Sequence, residues 1–136
     1  MDYFDINLDL SEDDIALRNA AHKFAKEVMR PVAKKLDTMT AEEGIADDSP
    51  LWTFMKKAYE LGYHKSMLPA AYGGLGLTTL QMHIVQEELA WGSAGLAALL
   101  GVAGFASYFS WMSGDDELIE MLGKPFCECT DGSIRA

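Results

Sequence analysis

The sequence predicts an all-α protein, a bundle of about five helices. Three observations carry this. Apolar residues recur at three- and four-residue steps in several stretches. Residues that start helices, Ser11, Ser49 and Thr78, stand immediately before those stretches. No apolar–polar alternation is sustained anywhere before the C-terminal "SIRA". The 136 residues make one domain, long enough to bury a core without disulfides or a metal. With 49% hydrophobic and 24% charged residues the chain falls among ordinary globular proteins.

The first helix begins at Ser11, whose hydroxyl suits an N-cap. Glu12, Asp13 and Asp14 follow, where negative charge favours the positive end of the helix dipole. Leu10 and Ile15 have the spacing of a hydrophobic staple. Leu17, Ala21, Phe24, Val28, Val32 and Leu36 then form one stripe, so the helix runs from Ser11 to about Leu36. Pro31 lacks an N–H and predicts a kink rather than an end, because the stripe resumes beyond it. "DTMTAEEGIADD" is polar and reads as a loop. Ser49–Pro50 is a cap followed by proline at the first helical position, and Leu51, Trp52, Met55, Ala58 and Tyr59 make the buried side of a second helix. Gly62 ends it as a left-handed residue.

"MLPAAYGGLGL" is a breaker segment. Thr78 and Gln81 form a capping box that opens a third helix through about Ala90. Ser93 caps a fourth, running to about Met112; "SGDD" stops it, and "DELIEMLG" makes a short fifth.

The formal net charge of −10 repels phosphate backbones and anionic lipid surfaces, which argues against nucleic acid as a partner. Cys127 and Cys129 are too few for a disulfide framework, and alternate residues rarely bridge. His22, His64 and His83 lie far apart, without the spacing of metal ligands, so no metal site is expected. The acidic start "MDYFDINLDL" lacks the basic and apolar regions of a signal peptide. A cytoplasmic location follows, or the mitochondrial matrix for a processed chain.

From Leu89 to Gly114 there is no Asp, Glu, Lys or Arg. The fourth helix within this run approaches the roughly 20 residues that cross a bilayer. Its flanks, however, are acidic (Glu87 and Glu88 before, Asp115 and Asp116 after), and no Lys or Arg anchors either end. The run is read as the central helix of a bundle, with no membrane span. Along it, Ala94, Ala97, Ala98, Gly101 and Gly104 form a stripe with little bulk, and Phe105, Tyr108, Phe109 and Trp111 stand beyond. Glycine inside a helix costs roughly 1 kcal/mol relative to alanine, so two on one stripe need a reason. Close approach of a neighbouring helix is one. A groove filled by a ligand is the other, with the large residues closing its end. Periodicity does not choose between them.

The order of "LSEDDIALRNAAHKFAKEVMRPVAKKLD", "LWTFMKKAYELGY" and "LPAAYGGLGLTTLQMHIVQEELAWGSAG" resembles the N-terminal helical domain of the acyl-CoA dehydrogenase family. The specific part is an L-G helix end, a P-x-x-x-G-G-x-G loop, and a helix carrying E-E-L-A. The resemblance runs from about residue 10 to the end of the chain. It implies residues 1–128 as that helical domain and 129–136 as the start of a middle β-domain. It also implies a flavoprotein oxidoreductase of fatty acid metabolism, in which FAD is held mainly by domains outside this stretch.

In the implied reaction a carboxylate takes the α-proton of an acyl-CoA thioester while hydride leaves the β-carbon for the flavin. Electrons then pass to an electron-transfer flavoprotein, and the full-length enzyme is a homotetramer. No catalytic residue is assigned in this chain: Glu87 and Glu88 match the E-E-L motif as structural or surface residues. The resemblance places Ala97, Ala98, Gly101 and Phe105 at the deep wall of the acyl pocket. Gly101 would leave room for a branched, cyclic or longer acyl group, and Phe105 would set the floor. The stretch alone is expected to be inactive. Acyl-CoA oxidases and flavin monooxygenases of the same architecture are the alternatives, as is a non-catalytic helical binding module.

Overall fold

A computed structural model describes residues 9–135. The expectation drawn from the acidic N-terminal stretch falls mostly on residues outside these, as does Ala136. Helices follow one another with no strand among the described residues. They are α1 (Glu12–Phe24), α2 (Arg30–Leu36), α3 (Ala41–Ile45), α4 (Pro50–Glu60), α5 (Thr79–Gly92), α6 (Ala94–Ala103), α7 (Phe105–Ser113), α8 (Asp116–Leu118) and α9 (Lys124–Glu128).

A π-helical turn, Ala25–Met29, joins α1 to α2 without a break in the helical path. Its cause is local. Pro31 offers no N–H and its ring crowds the carbonyl four residues back, so the turn before it widens, and the Arg30 N–H reaches back five residues to the Ala25 carbonyl. The expected disturbance at Pro31 therefore takes the form of a wide turn. A second such turn, Ile119–Gly123, joins α8 to α9, so the expected short fifth helix extends past Pro125.

Two capping boxes pin the start of the bundle. Ser11 and Asp14 cap α1; Thr78 and Gln81 cap α5. Gln81 Nε2 also donates to Asp14 Oδ1 at 3.0 Å, which ties one cap to the other. Asp14 takes further bonds from the Ser11 hydroxyl and backbone N–H, and these bonds, the hydroxyl's first, hold its carboxyl below the usual range. Further along the same seam His22 Nδ1 meets Glu88 Oε2 at 2.7 Å, and the Trp91 ring lies against His22 and under the Arg30 guanidinium. Ile15, expected to staple the first turn, is more than a third exposed.

Two expectations are corrected. The stretch read as a loop holds α3, because Thr40 and Glu43 make a third capping box. The helix expected from Ser93 to Met112 is two, α6 and α7, bent by 43° at Gly104. An alanine-like Cβ on Gly104 would sit 3.3 Å from both the His64 carbonyl oxygen and Phe126 Cζ. The chain turns where its backbone comes closest to its neighbours.

The core gathers Phe24, Met29, Phe54, Met55, Tyr59, Val85, Leu89 and Phe126, all buried. Burying each such side chain stabilises the fold by roughly 1.5–3 kcal/mol relative to leaving it in water. Among the described residues no single helix is long and apolar enough to cross a membrane; α6 and α7 together pass that test by length and composition, but only as a bent pair.

Candidate functional site

Gly92 ends α5 against the π-helical turn. A Cβ there would stand 2.8 Å from Ala25 Cβ and 3.0 Å from Ala25 Cα, so only glycine lets the two backbones approach this closely. Ser93 then turns the chain in an extended conformation, φ −168°, and its hydroxyl accepts from the Leu96 N–H to start α6. The crossing at Gly92 and the cap at Ser93 together set how α6 leaves α5.

Between these two helices lies a groove of about 580 Å³, within the range of small-molecule sites. Its α5 wall is Met82, His83, Gln86 and Ala90. The α6 wall is Ala94, Ala97, Ala98, Gly101 and Val102. Phe105, at the first turn of α7, and Met67, from the loop before α5, complete the lining. The structure thus brings together all four residues singled out from sequence: Ala97, Ala98, Gly101 and Phe105. Of the large residues beyond them, Phe105 alone lines the groove. Tyr108 and Trp111 pack on one another and Trp111 on Tyr72, while Phe109 is exposed.

The two glycines of the stripe have different causes. Gly104 is a close-packing position, as described above. A Cβ on Gly101 would meet no atom within 4 Å. Its missing volume is open groove, unfilled by any neighbouring helix. Gly101→Ala should therefore stabilise the fold by about 0.5–1 kcal/mol, the helix-propensity difference undiluted by any clash. Gly92→Ala should destabilise it by about 1–3 kcal/mol, because a backbone must move. Chemical denaturation of the two variants beside the parent checks both signs.

The α5 wall also has a signal in the sequence: Met82, Gln86 and Ala90 recur every four residues and so share a face. The groove has no carboxylate, Lys or Arg in its lining. Glu87 is exposed and Glu88 is engaged by His22. Cys127 and Cys129 are free and buried away from the groove; burial pushes the Cys127 thiol up. Among the described residues no group of three or more His, Cys, Asp or Glu could hold a metal. The site can enclose an apolar ligand; it offers no acid, base or nucleophile of its own beyond His83.

Residues 11–128 match the family model described as acyl-CoA dehydrogenase, N-terminal domain. A probable medium-chain specific acyl-CoA dehydrogenase 2, mitochondrial, of Caenorhabditis briggsae is 37% identical over 99 residues, which are 73% of this chain and 22% of that protein. The benzylmalonyl-CoA dehydrogenase of Aromatoleum aromaticum is 27% identical over 121 residues, 88% of this chain and 30% of that one. Among solved structures, a nitroalkane oxidase active-site mutant crystallised with 1-nitrooctane aligns with a TM-score of 0.74 at 20% identity, over 96% of this chain and 29% of its own. A chain from a study of the electron transferring flavoprotein of Acidaminococcus fermentans aligns with a TM-score of 0.69 at 23% identity, over 92% of this chain and 31% of its own. At these identities the structural likeness speaks to the fold. The chain spans less than a third of the length of each of these proteins.

Proposed function

The chain belongs to the acyl-CoA dehydrogenase family, residues 11–128 forming that family's N-terminal domain, and on that premise we propose that the α5–α6 groove is one wall of the pocket for the acyl chain of a CoA thioester. The observation that carries this is Gly101: a helix-interior glycine whose missing side chain faces open groove. Ala97 and Ala98 keep the same wall shallow, Gly101 gives depth, and Phe105 closes one end. An acyl chain entering the groove would bury apolar surface against apolar surface, worth about 25 cal/mol per Å² removed from water.

The reaction proposed is flavin-dependent α,β-dehydrogenation of the thioester. The groove lining has no Lys or Arg to meet a dinucleotide pyrophosphate, so it does not fit FAD. In this reading the flavin and the catalytic base belong to parts of a longer protein, and residues 129–136 begin its next domain. The exposed apolar side chains on α7 and beyond it, Phe109, Met112 and Met121, suit burial against such parts. Electron transfer to a flavoprotein partner, a homotetrameric assembly and a cytoplasmic or mitochondrial-matrix location belong to the same proposal.

The test is the visible spectrum of the purified gene product, recorded without oxygen before and after adding a panel of acyl-CoA thioesters. A flavin absorbance that bleaches with one class of thioester is the expected result. Flavin that no thioester bleaches would point to an oxygen-using relative, and no flavin at all to a binding module.

A further inference from the structure

Resting on the acyl-pocket reading above, we propose that the acyl group this groove accepts carries a hydroxyl, seated between His83 and Gln86. These two are the polar side chains of an otherwise apolar lining. They stand one turn apart on α5, three residues in sequence, so their side chains emerge on the same face roughly 5–6 Å from one another.

The chemistry of each is fixed by its surroundings. His83 Nδ1 lies 2.7 Å from the Thr79 carbonyl oxygen. A carbonyl only accepts, so Nδ1 carries the hydrogen, and in the neutral tautomer this leaves Nε2 as an acceptor. The Gln86 side chain makes no hydrogen bond among the described residues, and its amide offers both a donor and an acceptor. An unsubstituted alkyl chain lying along this wall would displace water from both groups and return no hydrogen bond. That discriminates against it. A hydroxyl repays both at once, donating to His83 Nε2 and accepting from the Gln86 amide.

A carboxylate fits less well. It carries a charge, and no Lys or Arg lines the groove to meet it. The opposite wall supplies the space: Ala97, Ala98 and Gly101 leave a substituent room that larger side chains would take.

The experiment is calorimetric titration of the purified gene product with decanoyl-CoA and with hydroxydecanoyl-CoA isomers whose hydroxyl moves from mid-chain to the end. One isomer should bind about tenfold more tightly than decanoyl-CoA, the equivalent of one good hydrogen bond. In His83→Leu and in Gln86→Leu the ratio of hydroxydecanoyl-CoA to decanoyl-CoA affinity should fall to about one; His83→Gln should keep part of the preference. His83 is exposed and Gln86 half-buried, so neither change disturbs the core. Equal or weaker binding of every isomer, or a preference that survives both leucine variants, overturns this inference and leaves the acyl pocket standing. Failure to bind any thioester overturns both.

Discussion

Replacing Gly74 by alanine should lower the thermal midpoint by roughly 10 °C or more, the shift expected when about 3 kcal/mol of stability is lost. A Cβ at this position would lie 1.9 Å from the Leu68 carbonyl oxygen and 2.3 Å from its carbon. No rotamer change relieves a clash with backbone. The loop is also held by its own hydrogen bonds: the Gly74 N–H donates to the Pro69 carbonyl, and the Gly76 N–H to that of Leu68. Gly73 and Gly76 take positive φ, 85° and 62°, which alanine reaches only with strain. Opening the loop to admit a methyl group would break its bonds and shift Met67, which lines the groove. Gly95→Ala is the control. Nothing lies within 4 Å of a Cβ there, so its midpoint should match or slightly exceed the parent's. Scanning calorimetry of both variants measures the difference.

The second large effect is a dependence on pH set by His64. Its ring is buried, stacked on Tyr59 at 4.0 Å and met edge-on by Phe126 at 5.2 Å. Neither ring nitrogen has a hydrogen-bond partner. Burial, helped by the neighbouring Lys65 charge, draws its pKa down to about 4; the Phe126 backbone pulls weakly the other way without closing a hydrogen bond. The unfolded chain therefore binds a proton near pH 6.5 that the folded chain refuses until about pH 4. Stability is fully present above the unfolded value and is lost as pH falls through this window, by about 3 kcal/mol in all. Asp14 and Asp131, both held low, lose their contributions only below the ordinary carboxylate pKa, so the two windows separate. His64→Phe, which keeps the aromatic stack, should flatten the curve between pH 6.5 and 4.5. Urea titrations at several pH values measure it; an equal slope in parent and variant would assign the pH dependence elsewhere.

Much of this architecture is legible in the sequence, for a local reason. Ser11, Ser49 with Pro50, Thr78 with Gln81 and Ser93 act on the backbone within three residues, and each begins a helix where its pattern says. The same chemistry is present in Thr40 and Glu43, yet their acidic, polar surroundings mask it, so that α3 reads as loop. The bend at Gly104 was not readable. Its cause is the approach of the His64 carbonyl and Phe126, which are distant in sequence. The site divides in the same way. The small-residue stripe on α6 shows in the sequence as three- and four-residue spacing. Whether Gly101 meets a helix or open space depends on which elements pack beside it, and spacing holds no information about that. The α5 wall was readable as a face, but only the fold reveals what it faces.

The most direct test of the central claim is a comparison of the purified gene product with its Gly101→Phe variant across a straight-chain acyl-CoA series, scoring the chain length each prefers. Phenylalanine at this position projects into the open groove and leaves the close-packed glycines untouched. If the groove holds the acyl chain, the variant loses the longer thioesters and keeps the shorter ones, with the parent's flavin content and a thermal midpoint near the parent's. An unchanged chain-length preference in a folded variant would contradict it.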